Sequence, residues 1–157
     1  MKQLPRLSLP GAVDADGHVL EPPDMWERYV DPGDRDVAMA IRKDDAGREF
    51  LDLGGGRMSS VIRNDFPAGV GLMDRVGGFV LEREPTGSLY RDNAPLGAMD
   101  PAERVARLDQ ENLERAILYP SMGVLWVAEV EDENVALANI RAYNRWLLDY
   151  CATDPTR

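Results

Sequence analysis

The 157-residue chain is poor in four things, and each shortage removes a class of function. Its one cysteine, Cys151, can form no intrachain disulfide, and a zinc ribbon would need paired CxxC motifs; a reducing, cytoplasmic location is expected. Its one histidine, His18, means that a metal or acid-base site needing two histidines cannot be built from a single copy. Basic residues are in deficit, 18 Lys and Arg against 28 Asp and Glu for a net charge of -10, and they do not cluster. A groove for a phosphate backbone has no electrostatic basis, so nucleic acid is not an expected partner. The longest apolar run, Met122 to Ala128, falls far short of the ~20 residues that span a bilayer. Met1 to Gly11 carries Pro5 and Pro10 and no signal-peptide core, so neither membrane insertion nor export by that route is expected.

What remains, 44% hydrophobic and 29% charged, suits one globular domain over residues 1–157 that buries roughly two-thirds of its unfolded surface. Ala12 to Leu20 reads as a strand. A period of two would put Val13, Ala15, Gly17 and Val19 on one side, and Asp14, Asp16 and His18 on the other. Glu21-Pro22-Pro23 ends it, because proline lacks a ladder donor and restricts the residue before it. Residues 34–98 form an excursion. Within it, Val37 to Lys43 and Arg48 to Leu53 flank Asp44-Asp45-Ala46-Gly47 as an antiparallel hairpin, and Gly54-Gly55-Gly56 releases the chain. The remainder reads as long loops, with one short strand at Gly78 to Leu81.

Asp100-Pro101-Ala102-Glu103 is a helix start: a capping carboxylate, proline at the first helical position, glutamate at the third. The helix would set Ala102, Val105, Ala106 and Leu113 on one stripe, with Glu103/Arg107 and Glu111/Arg115 as ion pairs and Asp109 without a partner inside the stripe. Ala116 to Pro120 follows as a short buried parallel strand, and an Asp132 cap opens a last helix to about Ala152. That helix carries Tyr143, Trp146 and Tyr150 on a core face and Leu137 and Leu148 opposite, which predicts burial between neighbours. Strand, excursion, helix, strand, helix begins an alternating parallel α/β fold. Two strands leave sheet edges unpaired, and a closed (β/α)₈ barrel needs ~250 residues.

Asp16-Gly17-His18 sets a carboxylate and an imidazole two residues apart on one strand face, a separation that lets both converge on one divalent ion. The same Asp-Gly pair is also a hairpin turn signal, in which Ala12 to Ala15 would pair with His18 to Glu21 and no metal would bind.

Asp14-Ala15-Asp16-Gly17-His18-Val19-Leu20-Glu21-Pro22-Pro23-Asp24-Met25-Trp26 resembles the N-terminal signature of the amidohydrolase-related family, the group that contains aminocarboxymuconate-semialdehyde decarboxylase and the resorcylate-type decarboxylases. Asp100-Pro101 with Arg104 to Leu108, then Ala116 to Ser121, then Arg141 to Trp146 and the closing Asp154-Pro155-Thr156-Arg157 are similar to that family in the same order. The resemblance implies the first two strand-helix units of a (β/α)₈ barrel with a divalent metal, usually zinc, at the C-terminal ends of its strands. It maps the first-strand ligand pair onto Asp16 and His18. The further ligands, two histidines and an aspartate, come from later strands in that family. The chain would then be about the first third of such an enzyme, inactive alone, whose complete form hydrolyses or decarboxylates a small carboxylic acid or amide, as a homodimer. The alternative is a non-catalytic module that dimerises, or pairs with a separately encoded second part, through an open sheet edge.

Glu21, just past the strand, could hold substrate on the rim, against the reading of a solvated loop carboxylate. Trp26, with Tyr29, could wall a substrate pocket, against simple helical packing. Asp14 could support the ligand pair or end the strand as a solvated charge. Gly54-Gly55-Gly56 lacks the lysine and Ser/Thr of a phosphate loop, and Cys151 has no basic neighbour to activate it.

Overall fold

The computed structural model describes residues 11–71 and 89–157. β1 (Val13–His18) is followed by the short helix α1 (Met25–Tyr29) and a 3-10 turn, Pro32–Val37. The hairpin β2 (Ala40–Lys43) and β3 (Glu49–Asp52) comes next, then the short helices α2 (Phe66–Gly71) and α3 (Tyr90–Asn93). Helix α4 (Pro101–Glu111) leads to β4 (Arg115–Tyr119), α5 (Met122–Trp126), a 3-10 turn at Val127–Glu129, and the long α6 (Glu133–Cys151). The architecture is mixed α/β: β1 pairs with β4 in parallel, and β2 with β3 antiparallel.

β1 is one continuous strand, which overturns the hairpin reading of Ala12 to Glu21. The turn chemistry of Asp16-Gly17 is expressed instead as a bulge. Val13 and Asp14 align with Arg115 and Ala116, but Gly17 and His18 align with Leu118 and Tyr119, so the register slips between Asp14 and Gly17. Asp14 holds the bulge by accepting the Asp16 amide at 3.1 Å. The slip breaks the expected alternation: Val13 and Ala15 are exposed, while Gly17 and Val19 are buried.

Within the excursion, β2 and β3 form the antiparallel hairpin that its turn residues predict. Asp44 Oδ1 accepts the amides of Ala46 and Arg48, both at 2.9 Å, and Gly47 takes φ +81°. Gly54, at φ +98°, passes so close to Val37 that a Cβ would stand 2.6 Å from its carbonyl oxygen. Where loops were expected, α2 and α3 are helical; the strand expected at Gly78 to Leu81 lies outside the described residues. Tertiary bonds hold α3, since Glu49 Oε2 accepts the Tyr90 amide at 2.7 Å and Asn93 Nδ2 donates to the Ala68 carbonyl at 3.1 Å.

Asp100 caps α4 as expected, accepting from Ala102 and Glu103, and Asn112 closes it in the left-handed region at φ 58°. The buried face differs from the expected stripe: Leu108 is buried, whereas Ala102 and Ala106 are exposed. Glu103 turns back to the Gly97 amide at 3.1 Å, Arg107 pairs with Glu111 at 2.7 Å, and Arg115 pairs with its neighbour Glu114. Asp109 finds its partner in Arg157, 2.6 Å away. Arg157 also donates to the carbonyls of Leu113 and Glu114, which ties the end of the chain to the turn that launches β4.

Asp132 caps α6, and Ala138, Ala142, Trp146 and Tyr150 form its buried face against α1 and the excursion. Leu137 and Leu148 are exposed, so the expectation that α6 is buried on both sides is corrected. Asn139, fully buried, accepts the Met39 amide and donates to the carbonyls of Val37 and Val135, all at 2.9 Å. It joins the excursion to α6 with every polar atom satisfied. Val13, Ile117 and Tyr119 on the parallel pair are 44%, 50% and 43% exposed, so the sheet presents an apolar surface that no described residue covers. No described helix is long and apolar enough to cross a membrane.

Candidate functional site

The parallel pairing of β1 and β4 brings two chain segments about a hundred positions apart to the same carboxyl end of the sheet. His18 ends β1, and Pro120 and Ser121 follow β4. The His18 backbone is held at the sheet by register with Tyr119 and by the next amide, Val19, which donates to the Tyr119 carbonyl at 3.0 Å. The Arg104 guanidinium on α4 donates to the His18 carbonyl and, through Nε, to the Gly97 carbonyl at 2.9 Å. The imidazole is thus presented by three elements.

Its ring geometry decides what it can do. His18 Nδ1 lies 2.9 Å from the Pro120 carbonyl oxygen, and a carbonyl can only accept, so the neutral ring carries its proton on Nδ1. Nε2 is then left with a lone pair. That lone pair faces Asp16, whose Oδ1 stands 3.8 Å from Nε2. Two ligands ~2.1 Å from one ion at a tetrahedral angle lie about 3.4 Å apart, so the observed spacing is close to what a shared divalent ion requires. The side chains are 46% and 88% exposed, so no burial cost has to be offset and an ion can reach them from solvent. Among the described residues no group of three or more His, Cys, Asp or Glu side chains gathers to hold a metal. Asp16 and His18 therefore fit two positions of a divalent site and not a whole one.

A cleft of ≈ 380 Å³ opens beside His18, bounded by Leu20, Ser121, Arg104, Arg107 and Glu111 among others. The volume falls within the range of small-molecule sites, and two guanidiniums against one carboxylate make its polar wall complementary to an anion. Arg107 is held by Glu111, and Arg104 by backbone carbonyls, so both are fixed in place.

The fold is amidohydrolase-like. The solved structure of an amidohydrolase from Mycobacterium avium subsp. paratuberculosis K-10 matches with a TM-score of 0.62 over 89% of this chain at 20% identity. The chain spans 38% of that protein's length. No protein-family model matches the chain, and no curated protein matches it. The amidohydrolase-like likeness is one of fold and does not reach the narrower decarboxylase group.

The other expected site residues are placed differently from the pair. Glu21 was expected on an open rim and is instead wholly buried, as is Trp26. Neither offers an atom to solvent. The Glu21 carboxylate is occupied by the start of α5, accepting the Met122 amide at 3.0 Å and the Gly123 amide at 2.9 Å. Burial pushes its carboxyl above the ordinary range, and the amides of Gly123 and Met122 pull against that rise. Burial, and after it the nearby Glu21 charge, also raises the buried Tyr90 and Tyr143 hydroxyls. Asp14 spends one oxygen on the Asp16 amide and is part of the bulge.

Sequence reasoning did not give roles to Arg104, Pro120 or Ser121. Only their neighbourhood to His18 in space reveals them; the parallel strand at Ala116 to Pro120 was the available signal, since it predicts that the residues after it lie level with the end of β1.

Proposed function

We propose that this chain is the N-terminal portion of a metal-dependent amidohydrolase-type enzyme, a hydrolase or non-oxidative decarboxylase acting on a small carboxylic acid or amide, built on a partial (β/α)₈ barrel. The observation that carries this reading is the His18 ring: its Nδ1 is committed to the Pro120 carbonyl, and its free Nε2 faces Asp16 across 3.8 Å. The amidohydrolase-like fold and the position at the carboxyl end of parallel strands support it.

Asp16 and His18 would supply two donors to a divalent ion, zinc by the family resemblance. Such an ion brings Lewis acidity, which makes water reactive near neutral pH and polarises a carbonyl. The chain's own residues do the rest of what can be assigned here. Pro120 holds the proton on Nδ1 so that Nε2 stays available, and Arg104 and Arg107 present positive charge along the cleft where a substrate carboxylate would lie.

The test is to read the coding sequence past the Arg157 codon, express the full reading frame, and assay it against small carboxylic acids and amides. Activity that disappears in Asp16→Ala and His18→Ala supports the reading; activity unchanged in both removes the pair from the mechanism. A second reading, a non-catalytic module that pairs through its sheet, rests on the exposed Val13, Ile117 and Tyr119. A frame that stops at Arg157, with a monodisperse dimer in solution, would favour it.

A further inference from the structure

Glu21 is a fully buried carboxylate that offers nothing to the cleft, yet both its oxygens are spent on one turn, the segment from Pro120 to Gly123. That turn is the one that contacts the imidazole. Two of its groups compete for the same ring atom: the Pro120 carbonyl lies 2.9 Å from His18 Nδ1, and the Ser121 hydroxyl 3.4 Å from it. They constrain the ring differently. The carbonyl can only accept and requires a proton on Nδ1, whereas a hydroxyl can accept or donate and so also admits the ring with its proton on Nε2, which would remove the lone pair facing Asp16. Only the carbonyl contact selects the Nδ1 proton, so the selection depends on where the turn is held.

The packing around Glu21 is tight enough to hold the turn in place. A Cβ on Gly123 would stand 2.8 Å from Pro120 Cβ and 3.2 Å from Glu21 Oε1, so only glycine lets the carboxylate, the proline and the start of α5 approach this closely. We propose that Glu21 is a positioning residue for the metal-ligand pair: by seating the amides of Met122 and Gly123 it fixes the Pro120–Ser121 turn, and through the Pro120 carbonyl it selects the ring tautomer of His18 that can ligate. The consequence for metal binding rests on the function proposed above; the consequence for the tautomer does not.

The experiment uses the single histidine to advantage. In the chain prepared with nitrogen-labelled histidine, the ring gives one pair of nitrogen resonances, and in the neutral ring their shifts report which atom holds the proton. Wild type is expected to show the proton on Nδ1. In Glu21→Gln the one carbonyl oxygen can accept from only one of the two amides and the NH₂ group opposes the other, so the ring is expected to become a mixture or to shift to the Nε2 proton. Zinc titrated into the same samples should bind the variant roughly 10-fold or more weakly. If Glu21→Gln does not fold, Glu21→Asp, which keeps the charge but draws it back by one methylene, is read in the same way. A folded variant whose ring is identical to wild type overturns the proposal, whatever zinc does. Zinc that leaves the wild-type Nε2 resonance unmoved counts instead against the metal site, so the two failures are separate readings.

Discussion

His18 and Pro120, about a hundred positions apart in sequence, are joined by a 2.9 Å hydrogen bond from the imidazole Nδ1 to the carbonyl oxygen. This contact turns a local Asp-Gly-His pattern into an oriented donor pair. Without it the ring could present either nitrogen, and the carboxylate at 3.8 Å would face a proton as readily as a lone pair.

The burial of Glu21 has a pH signature. Its carboxyl is raised above the ordinary value of 4.5 in the folded chain, chiefly by desolvation, so above 4.5 the folded state holds this proton more tightly than the unfolded state does. The stability that follows is present below 4.5 and is lost as pH rises through the folded value. Denaturation measured against pH should show wild type losing stability relative to Glu21→Gln across the window that starts at 4.5. Glu49, also raised by burial, is present in both and cancels. A difference that is flat through the window contradicts the account.

Gly123→Ala should destabilise the chain by about 1–3 kcal/mol, because its Cβ would enter space held by Pro120 and Glu21. Chemical denaturation reads this directly. A variant as stable as wild type would mean that the turn has room to move and that Glu21 does not hold it tightly.

Asn139→Ala removes an acceptor from the Met39 amide and a donor from the Val37 carbonyl inside the core. A loss on the order of 3 kcal/mol is expected in the same assay. A loss below about 0.5 kcal/mol, the size of an ordinary surface substitution, would show that the excursion is not anchored to α6 through this side chain.

Much of the frame was legible because its signals are local. The Asp100 and Asp132 caps, the Asp44 to Gly47 turn and the apolar run at Ala116 to Pro120 each act over a few residues, and the structure places an element at each. That the Asp16 and His18 side chains lie near each other was legible for the same reason. The fate of Glu21 was not, since nothing near it in sequence supplies the Met122 and Gly123 amides that make its burial tolerable. The partner of Asp109 was hidden likewise, because Arg157 reaches it from the end of the chain. The helices α2 and α3 are too short to announce themselves by periodicity, and each is held from outside its own sequence, α2 by Asn93 and α3 by Glu49. The bulge in β1 carried a signal, Asp16-Gly17, that points equally to a turn; only pairing with β4 distinguishes the two.

The central claim is that Asp16 and His18 act together on one divalent ion. Calorimetric titration of zinc into the protein of the full reading frame, as wild type, Asp16→Ala and His18→Ala, tests it most directly. The account predicts one saturable site in wild type that is lost or weakened roughly 10-fold or more in each variant, with the fold intact by circular dichroism. Equal zinc affinity in all three chains would contradict it.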